Sequence, residues 1–588
     1  MPINAFPGNF RQYAHLEQPH TAQCISDDSS AFAFLLPLYI HPVLSPSSRG
    51  NMSYAEKQSK AIDLSHHLSD VSRARDLSPL KGLARYLERP GLISLAGGMP
   101  SEAYFPFASI SGDALGPDSF STSNNQSEGS VSWFWKLFGG SRKEKTAPIT
   151  IPKYPVNSGD INLAQALQYG TATGVPQLRE FVHEFVEKVY QPAYSDWTTL
   201  VHTGNTDGWS KCVNLLCNRD EAFITEDWTY PSALAGSLPY GMYPVGVSMD
   251  DQGMRPDELR KLLVEWDEAA RGAKRPHVMY TVPVGQNPTG VTMGLERKKA
   301  IYDICVEFDV IIVEDDPYYF LQMGQYTSKA GRTPHAEFTD PTAWLGSLVP
   351  SYVKIDYQGR VIRLDTFSKT IAPGARLGFF TCNPRFAERL ERIGETSTQA
   401  PCGFGQSLVA QLLTTWKFDG YARWLQGLAV QYTSRRDSLI DALQEEFHLQ
   451  VSVGAVGSWK DCVVYAASAK PRRGDTMSEK AALFAQGKPM FSLVPPSAGM
   501  FVWLKMHWEN VPGFKKGDEE TVEIQLWMKL AEAGVLVGPG RYFAHNEEQV
   551  SPVEGHFRIS FSFSSEADFK KAAKILAEVV RDFFGQSV

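Results

Sequence analysis

Two short apolar runs constrain the fold more than any other feature. HVMYTVP (277–283) and VIIVED (310–315) are dominated by β-branched and aromatic residues. Runs of this kind suit strands buried on both faces, as in a parallel sheet covered by helices. An amphipathic stretch around 295–308 separates them, and Leu178, Phe181, Val182, Phe185, Val186 and Val189 fall on one helical face upstream. This alternation predicts an α/β fold with a largely parallel central sheet. The chain is expected to close on a helix over 566–584, with Ser565 as N-cap and Asp568 in the capping-box position. Ligands bind such sheets at the carboxyl ends of the strands, so the residues just after each strand matter most.

A chain of 588 residues exceeds one ordinary core. A net charge of −8 argues against a nucleic-acid binder built on a basic face. Seven cysteines, with no CxxC pair, suggest reduced thiols and a cytoplasmic location. AFAFLLPLYI (31–40) is too short to span a bilayer, contains Pro37 and follows Asp27 and Asp28. With only Arg11 and Arg49 basic in the first 50 residues, it makes a poor signal or transit peptide. Residues 1–60 are read as a tail of unknown role. PDSFSTSNNQSEG (117–129) reads as a flexible insertion, followed by Trp133, Phe134, Trp135 and Phe138 and then Arg142, Lys143 and Lys145. A second polar insertion covers about 469–487 and holds Arg472 and Arg473.

Six motifs carry chemistry, and each has a bland alternative. In DTFSKTIAPGARLGF (365–379), Lys369 lies among Thr366, Ser368 and Arg376, a set suited to a phosphorylated aldehyde: the lysine forms the imine while its neighbours hold the phosphate. A solvated loop lysine is the alternative. In VEDDPYYF (313–320), Asp315 could keep a pyridine nitrogen protonated and Tyr318 could donate to a phenolate oxygen; a divalent-metal site or a salt bridge would use the same carboxylates. In PVGQNPTG (283–290), Asn287 could reach that oxygen, or simply mark a turn. TGNTDGWSKCVNLLC (203–217) could cradle a phosphate through Asn205 and Thr206 at a helix start, or only cap the helix. Tyr230 of EDWTYP (226–231) could stack on a flat ring or sit in the core. In HFRISFSFSS (556–565), Arg558 enters an alternating strand beside Ile559, Phe561 and Phe563, and would pair with a substrate carboxylate or a structural one.

Taken in order, these motifs resemble the fold type I, class I aminotransferases, which depend on pyridoxal 5′-phosphate. The seven-residue step from Lys369 to Arg376 fits that family, and Thr366 stands where the family's first serine is expected, keeping the hydroxyl. LAGGMPSEAYFPF (95–107), LQYGTATGVPQLREF (167–181), PSAGMFVW (496–503) and GVLVGPGRYF (534–543) look like the 2-aminoadipate, kynurenine and aromatic subgroup. LSHHLSDVSRARDLSPLKGLARY (64–86), with the insertion before 167, looks like the fungal aromatic amino acid aminotransferases. The resemblance runs from about Leu64 to the C-terminus.

What the resemblance implies is specific. A large cofactor-binding domain would cover 159–400, and a smaller α+β domain would combine 61–116 with 401–588, interrupted by insertions at 117–158 and near 469–487. Lys369, Asp315 and Tyr230 would act in catalysis. Asn205, Thr206, Tyr230, Asn287, Asp315, Tyr318, Thr366, Ser368, Lys369 and Arg376 would hold the cofactor. Arg558, Gly98 and Asn287 would meet substrate. Tyr169 would reach the phosphate of a neighbouring subunit, so a homodimer is expected, with no metal, nucleic acid or membrane partner. The activity implied is ping-pong transfer of an amino group from an aromatic or 2-aminoadipate-like amino acid to a 2-oxo acid such as 2-oxoglutarate. Decarboxylases and lyases of the same fold share the cofactor site. A cofactor-sensing regulator would need a basic DNA-binding domain, which the first 60 residues do not supply.

Overall fold

Every residue of Val278–Thr281 and Ile311–Asp315 is buried, as strands without polar alternation require. They lie side by side in a seven-stranded sheet. Its order is Thr198–His202, Gly378–Cys382, Val361–Thr366, Ile311–Asp315, Val278–Thr281, Ala222–Glu226 and Tyr243–Val247. Only Gly378–Cys382 runs antiparallel to its neighbours. Successive side chains leave opposite faces, so Ile312 joins one apolar cluster while Ile311 and Val313 join another. Helix Pro176–Val189 buries Leu178, Phe181, Val182, Phe185 and Val186 on the first face. Helix Asn205–Leu216 covers the second. This computed structural model describes residues 59–76, 95, 98–122, 145–332, 340–454, 459–470, 487–545 and 555–586. The apolar run 31–40, the cluster Trp133–Phe138 with Arg142 and Lys143, and Arg472 and Arg473 lie outside them.

A second sheet of six antiparallel strands follows, in the order Phe447–Val453, Val463–Ala469, Phe491–Leu493, Phe501–Met506, Gly555–Ser560, Gly538–Pro539. It packs with helices Glu519–Glu532 and Glu566–Phe583 around a third cluster that includes Leu504, Leu526, Phe557 and Leu576. The last helix carries the expected capping box: Ser565 accepts from the Asp568 amide and the Asp568 side chain accepts from the Ser565 amide. The strand through Arg558 is shorter than its alternation suggests. It stops at Ser560, and Phe563 is 94% exposed.

Three expected boundaries change. Residues 61–76 belong with the large sheet rather than the small one. Leu64 and Leu68 bury among Trp209, Leu215 and Leu364, and the Ser69 amide donates to the Leu215 carbonyl at 2.8 Å. The expected insertion at 117–158 contains a strand, Thr146–Pro152, paired along its length with Ser109–Leu115. Trp416 Nε1 donates to the Leu115 carbonyl at 3.1 Å, anchoring that hairpin on helix Gly403–Glu446. The same helix removes the boundary expected at 401. Its first half (Leu413, Tyr421, Leu425) sits in the large-sheet core and its second (Leu439, Leu443) in the small-sheet core, with a break at Lys417.

Candidate active site

Three carboxylates in a row end the strand Ile311–Asp315 and the turn after it, and their partners separate them. Glu314 and Asp316 lie near the fully buried Arg363 guanidinium, at 3.3 and 3.1 Å. Lys298 adds a cation 3.9 Å from Glu314. Asp315 points the other way and meets only neutral donors: the Asn205 amide at 2.6 Å and the Tyr280 hydroxyl at 2.6 Å. Burial, as the largest effect, pushes its carboxyl above the ordinary range. An anion held this way favours a cation against it, as a protonated ring nitrogen would provide.

Lys369 follows the next strand, Val361–Thr366, and is half buried. Burial first, then Arg376 and Arg558, hold its ammonium below the ordinary lysine value. An amine so placed is more available as a nucleophile. Thr366 Oγ1 donates to Ser368 Oγ at 2.9 Å and accepts from the Ser368 amide at 3.1 Å, which fixes the turn into the lysine.

Among the described residues, neither of the two arginines that flank Lys369 lies in an ion pair; each faces polar or apolar groups instead. Arg376 has a left-handed backbone (φ 45°), and its guanidinium donates to the Pro373 carbonyl at 3.3 Å. Its guanidinium lies against Gly204, which has φ 107°, and a Cβ there would collide with it. Gly204 caps helix Asn205–Leu216, so free backbone N–H groups and a guanidinium converge on one spot, the ingredients of a phosphate site. Thr206 is exposed at the second position of that helix. Asn205 departs from the expected cradle: its amide is spent on Asp315 and on the Leu364 carbonyl at 3.1 Å, so it positions the carboxylate instead.

Arg558 is sandwiched by Phe501 and Phe543, with ring centroids 4.3 and 4.6 Å from its guanidinium carbon. It donates to Asn287 Oδ1 at 2.8 Å, while its buried Nε has no partner. Asn287, buried before Pro288, is thereby turned so that its own amide N–H groups face elsewhere. Tyr318 is buried edge-on to Phe501, with ring centroids 5.7 Å apart. Tyr230 precedes helix Pro231–Ser237 and packs, partly buried, on the cluster that holds Trp209 and Tyr280. Burial lowers the pKa of Arg558, while the Tyr318 and Tyr230 hydroxyls act in the opposite sense.

Two further residues lie apart from this group: Tyr169, expected at the phosphate of a neighbouring subunit, and Gly98, expected near substrate. Tyr169 is 64% exposed and lines a separate cavity of about 1320 Å³ with Thr171 and Phe404. Gly98 is exposed, with open space where a side chain would be. Conversely, Tyr280, Phe501 and Phe543 contribute to the site without having been singled out. Tyr280 hides in an apolar run, and the two phenylalanines reveal themselves only through their distance to Arg558.

The profile of the aminotransferase class I and II family matches residues 162–576. The chain belongs to the class I and II aminotransferases. An aromatic amino acid aminotransferase of Schizosaccharomyces pombe is 33% identical over 528 residues, covering 89% of this chain and 97% of that protein. An L-tyrosine:2-oxoglutarate aminotransferase of Serpula lacrymans is 33% identical over 501 residues, 83% of this chain and 85% of that one. Among solved structures, the aminotransferase Aro8 of Candida albicans superposes with a TM-score of 0.73 at 31% identity, covering 90% of this chain and all of the other. This aminotransferase family works with pyridoxal phosphate, and the residues assembled here fit that group. Arg376 and the helix start at Gly204 suit its phosphate, Asp315 its ring nitrogen, and Lys369 its aldehyde carbon.

Proposed function

We propose that this aminotransferase moves the amino group of an aromatic amino acid to 2-oxoglutarate, in two half-reactions at Lys369. The supporting observation is an amine flanked by two arginines, Arg376 and Arg558, neither matched to a protein carboxylate among the described residues. They mark two anion subsites on either side of one amine, one for a phosphate and one for a substrate carboxylate. When bound, pyridoxal phosphate supplies an aldehyde that bonds covalently to amines and a ring that takes up the charge left at a deprotonated carbon.

The chain's own groups supply the rest. Arg376 and the backbone amides after Gly204 bind the phosphate. Asp315, aligned by Asn205 and Tyr280, keeps a proton on the ring nitrogen. Asn287 and Tyr318 would donate to the ring's phenolate oxygen, and Tyr230 would stack on the ring. Arg558 grips the α-carboxylate, oriented by Asn287. The Lys369 amine would take the proton from the substrate Cα as a general base and, as a general acid, deliver it to the cofactor carbon that carried the aldehyde. Phe501 and Phe543 flank Arg558 with apolar surface. The names of the relatives from S. pombe and S. lacrymans support aromatic substrates. Exposed Tyr169 suits a homodimer in which it completes the partner's phosphate site.

Replacement of Lys369 by alanine tests the reading. Steady-state assays with phenylalanine and 2-oxoglutarate are expected to show no transamination, while circular dichroism shows the fold retained. Activity within tenfold of wild type would overturn the assignment. Release of CO₂ in place of a 2-oxo acid would instead identify a decarboxylase.

A further inference from the structure

A cluster of imidazoles and carboxylates sits at the amino-terminal ends of central strands of the large sheet, opposite the carboxyl ends where Lys369 follows its strand. His277 and Asp309 lie just before the strands Val278–Thr281 and Ile311–Asp315, whereas the active-site Asp315 ends the latter. His66 and His67 come from the short turn Ser65–His67 in the N-terminal segment. His66 Nε2 lies 2.7 Å from Asp309 Oδ2, and His67 Nε2 lies 3.0 Å from Asp309 Oδ1. The ligating atoms of these three residues all fall within 4.8 Å of one another. His67 is buried, and Asp309 holds a left-handed backbone, φ 56°, that aims its carboxylate at both rings. A cavity of about 350 Å³ opens beside them and gives an entry path.

A further imidazole backs His67: His277 Nδ1 lies 2.9 Å from His67 Nδ1, so one of the two nitrogens carries the hydrogen and the other accepts it. His277 Nε2 faces Glu221 Oε2 at 3.6 Å. The Arg360 guanidinium donates to Asp309 Oδ1 at 3.4 Å and also to Gln358 Oε1 and the Val310 carbonyl.

We propose that His66, His67 and Asp309 form a site for a divalent transition metal, zinc by preference, which ties the N-terminal segment to the large sheet. Two imidazoles, one carboxylate and an open fourth position towards the cavity form a common zinc donor set. Zinc–ligand bonds of about 2.0–2.1 Å place neighbouring ligand atoms about 3.3 Å apart, and the three donor atoms here, one from each residue, already lie within 4.8 Å of one another, so side-chain rotations complete the site. His277 and Glu221 then form the outer relay that fixes the tautomer of His67, as outer partners of metal-bound histidines commonly do. The site lies at the amino-terminal ends of the strands, away from the chemistry, and a metal there would join two segments distant in sequence.

The test uses cofactor-loaded enzyme, stripped with a chelator and dialysed against Zn²⁺. The wild type is expected to retain one zinc per chain. His66→Gln changes a largely exposed ring, and Asp309→Asn keeps a residue that tolerates the left-handed backbone, so both variants should fold. Each is expected to lose more than the ~10-fold in affinity that an outer partner costs, while His277→Gln loses about 10-fold. With Co²⁺ in place of zinc, visible ligand-field bands should appear in the wild type and not in His66→Gln. Transamination by His66→Gln should match the wild type. Equal zinc uptake by wild type and both ligand variants would overturn the site. So would no uptake by any of them, which would leave the cluster as an ion-paired latch only.

Discussion

Arg558 shows how much one side chain can report. It is half buried, pressed between two phenyl rings and bonded to a neutral amide, with one buried N–H left over. A structural arginine in such a place would have a carboxylate. Truncating one partner of a desolvated, hydrogen-bonded charge pair costs about 2 kcal/mol or more, roughly 30-fold. Arg558→Ala should therefore raise KM for phenylalanine and for 2-oxoglutarate by about that factor, with a smaller fall in kcat; an unchanged KM for both would remove Arg558 from the substrate site. Lys369, Asp315, Asn287 and Arg558 were legible in the sequence because each follows or enters a strand beside residues of matching chemistry. Asn205 was misread. A helix-start asparagine signals a cap or a cradle, and nothing local shows that its amide crosses to a carboxylate 110 positions away. Arg363 was passed over for the same reason, although it is the cation that leaves Asp315 as the carboxylate without one.

At the scale of elements, the strands were easier to read than the helix that joins the two sheets. Buried strands leave a local apolar signature. Helix Gly403–Glu446 passes from the large-sheet core to the small-sheet core along its length, with a break at Lys417, so no single periodic pattern covers it, and a boundary is expected where the chain runs on. Its counterpart at the C-terminus was legible because a capping box is a local device. Ser565→Ala should lower stability by about 1 kcal/mol, seen as a drop in melting temperature with kcat unchanged. A further prediction concerns the carboxyl end of Ala222–Glu226. Glu226 is fully buried; Thr281 donates to Oε1 at 2.5 Å, and Oε2 has no partner. Burial, against the Thr281 bond, pushes its carboxyl from 4.5 up to about 7. The folded state thus holds a proton that the unfolded chain has lost across this window. Stability contributed by the neutral acid is complete below about 4.5 and declines as pH rises towards 7, by roughly 3 kcal/mol at most. Glu226→Gln should flatten that slope in melting temperature against pH. A slope as steep as in the wild type would show that other groups carry it.

For the whole molecule, the two sheets contribute different halves of the site. The large one supplies Asp315, Lys369 and the helix at Gly204; the small one supplies Arg558 and Phe501, brought in beside Asn287. Tyr169 and Gly98 stand apart from this group within one chain, which is the arrangement expected if a second copy receives Tyr169. Co-expressed Lys369→Ala and Tyr169→Ala chains should then regain activity that neither homodimer has, because one site of the mixed dimer combines an intact lysine with an intact tyrosine. Failure of the mixture to exceed the sum of its parents would place the complete site inside a single chain. The most direct test of Lys369 as the cofactor lysine of an aromatic aminotransferase is the absorption spectrum of the purified protein, taken before and after adding phenylalanine without any oxo acid. A yellow band that is lost to the pyridoxamine form on that addition is the predicted result; no such band, even after pyridoxal phosphate is supplied, would contradict the account.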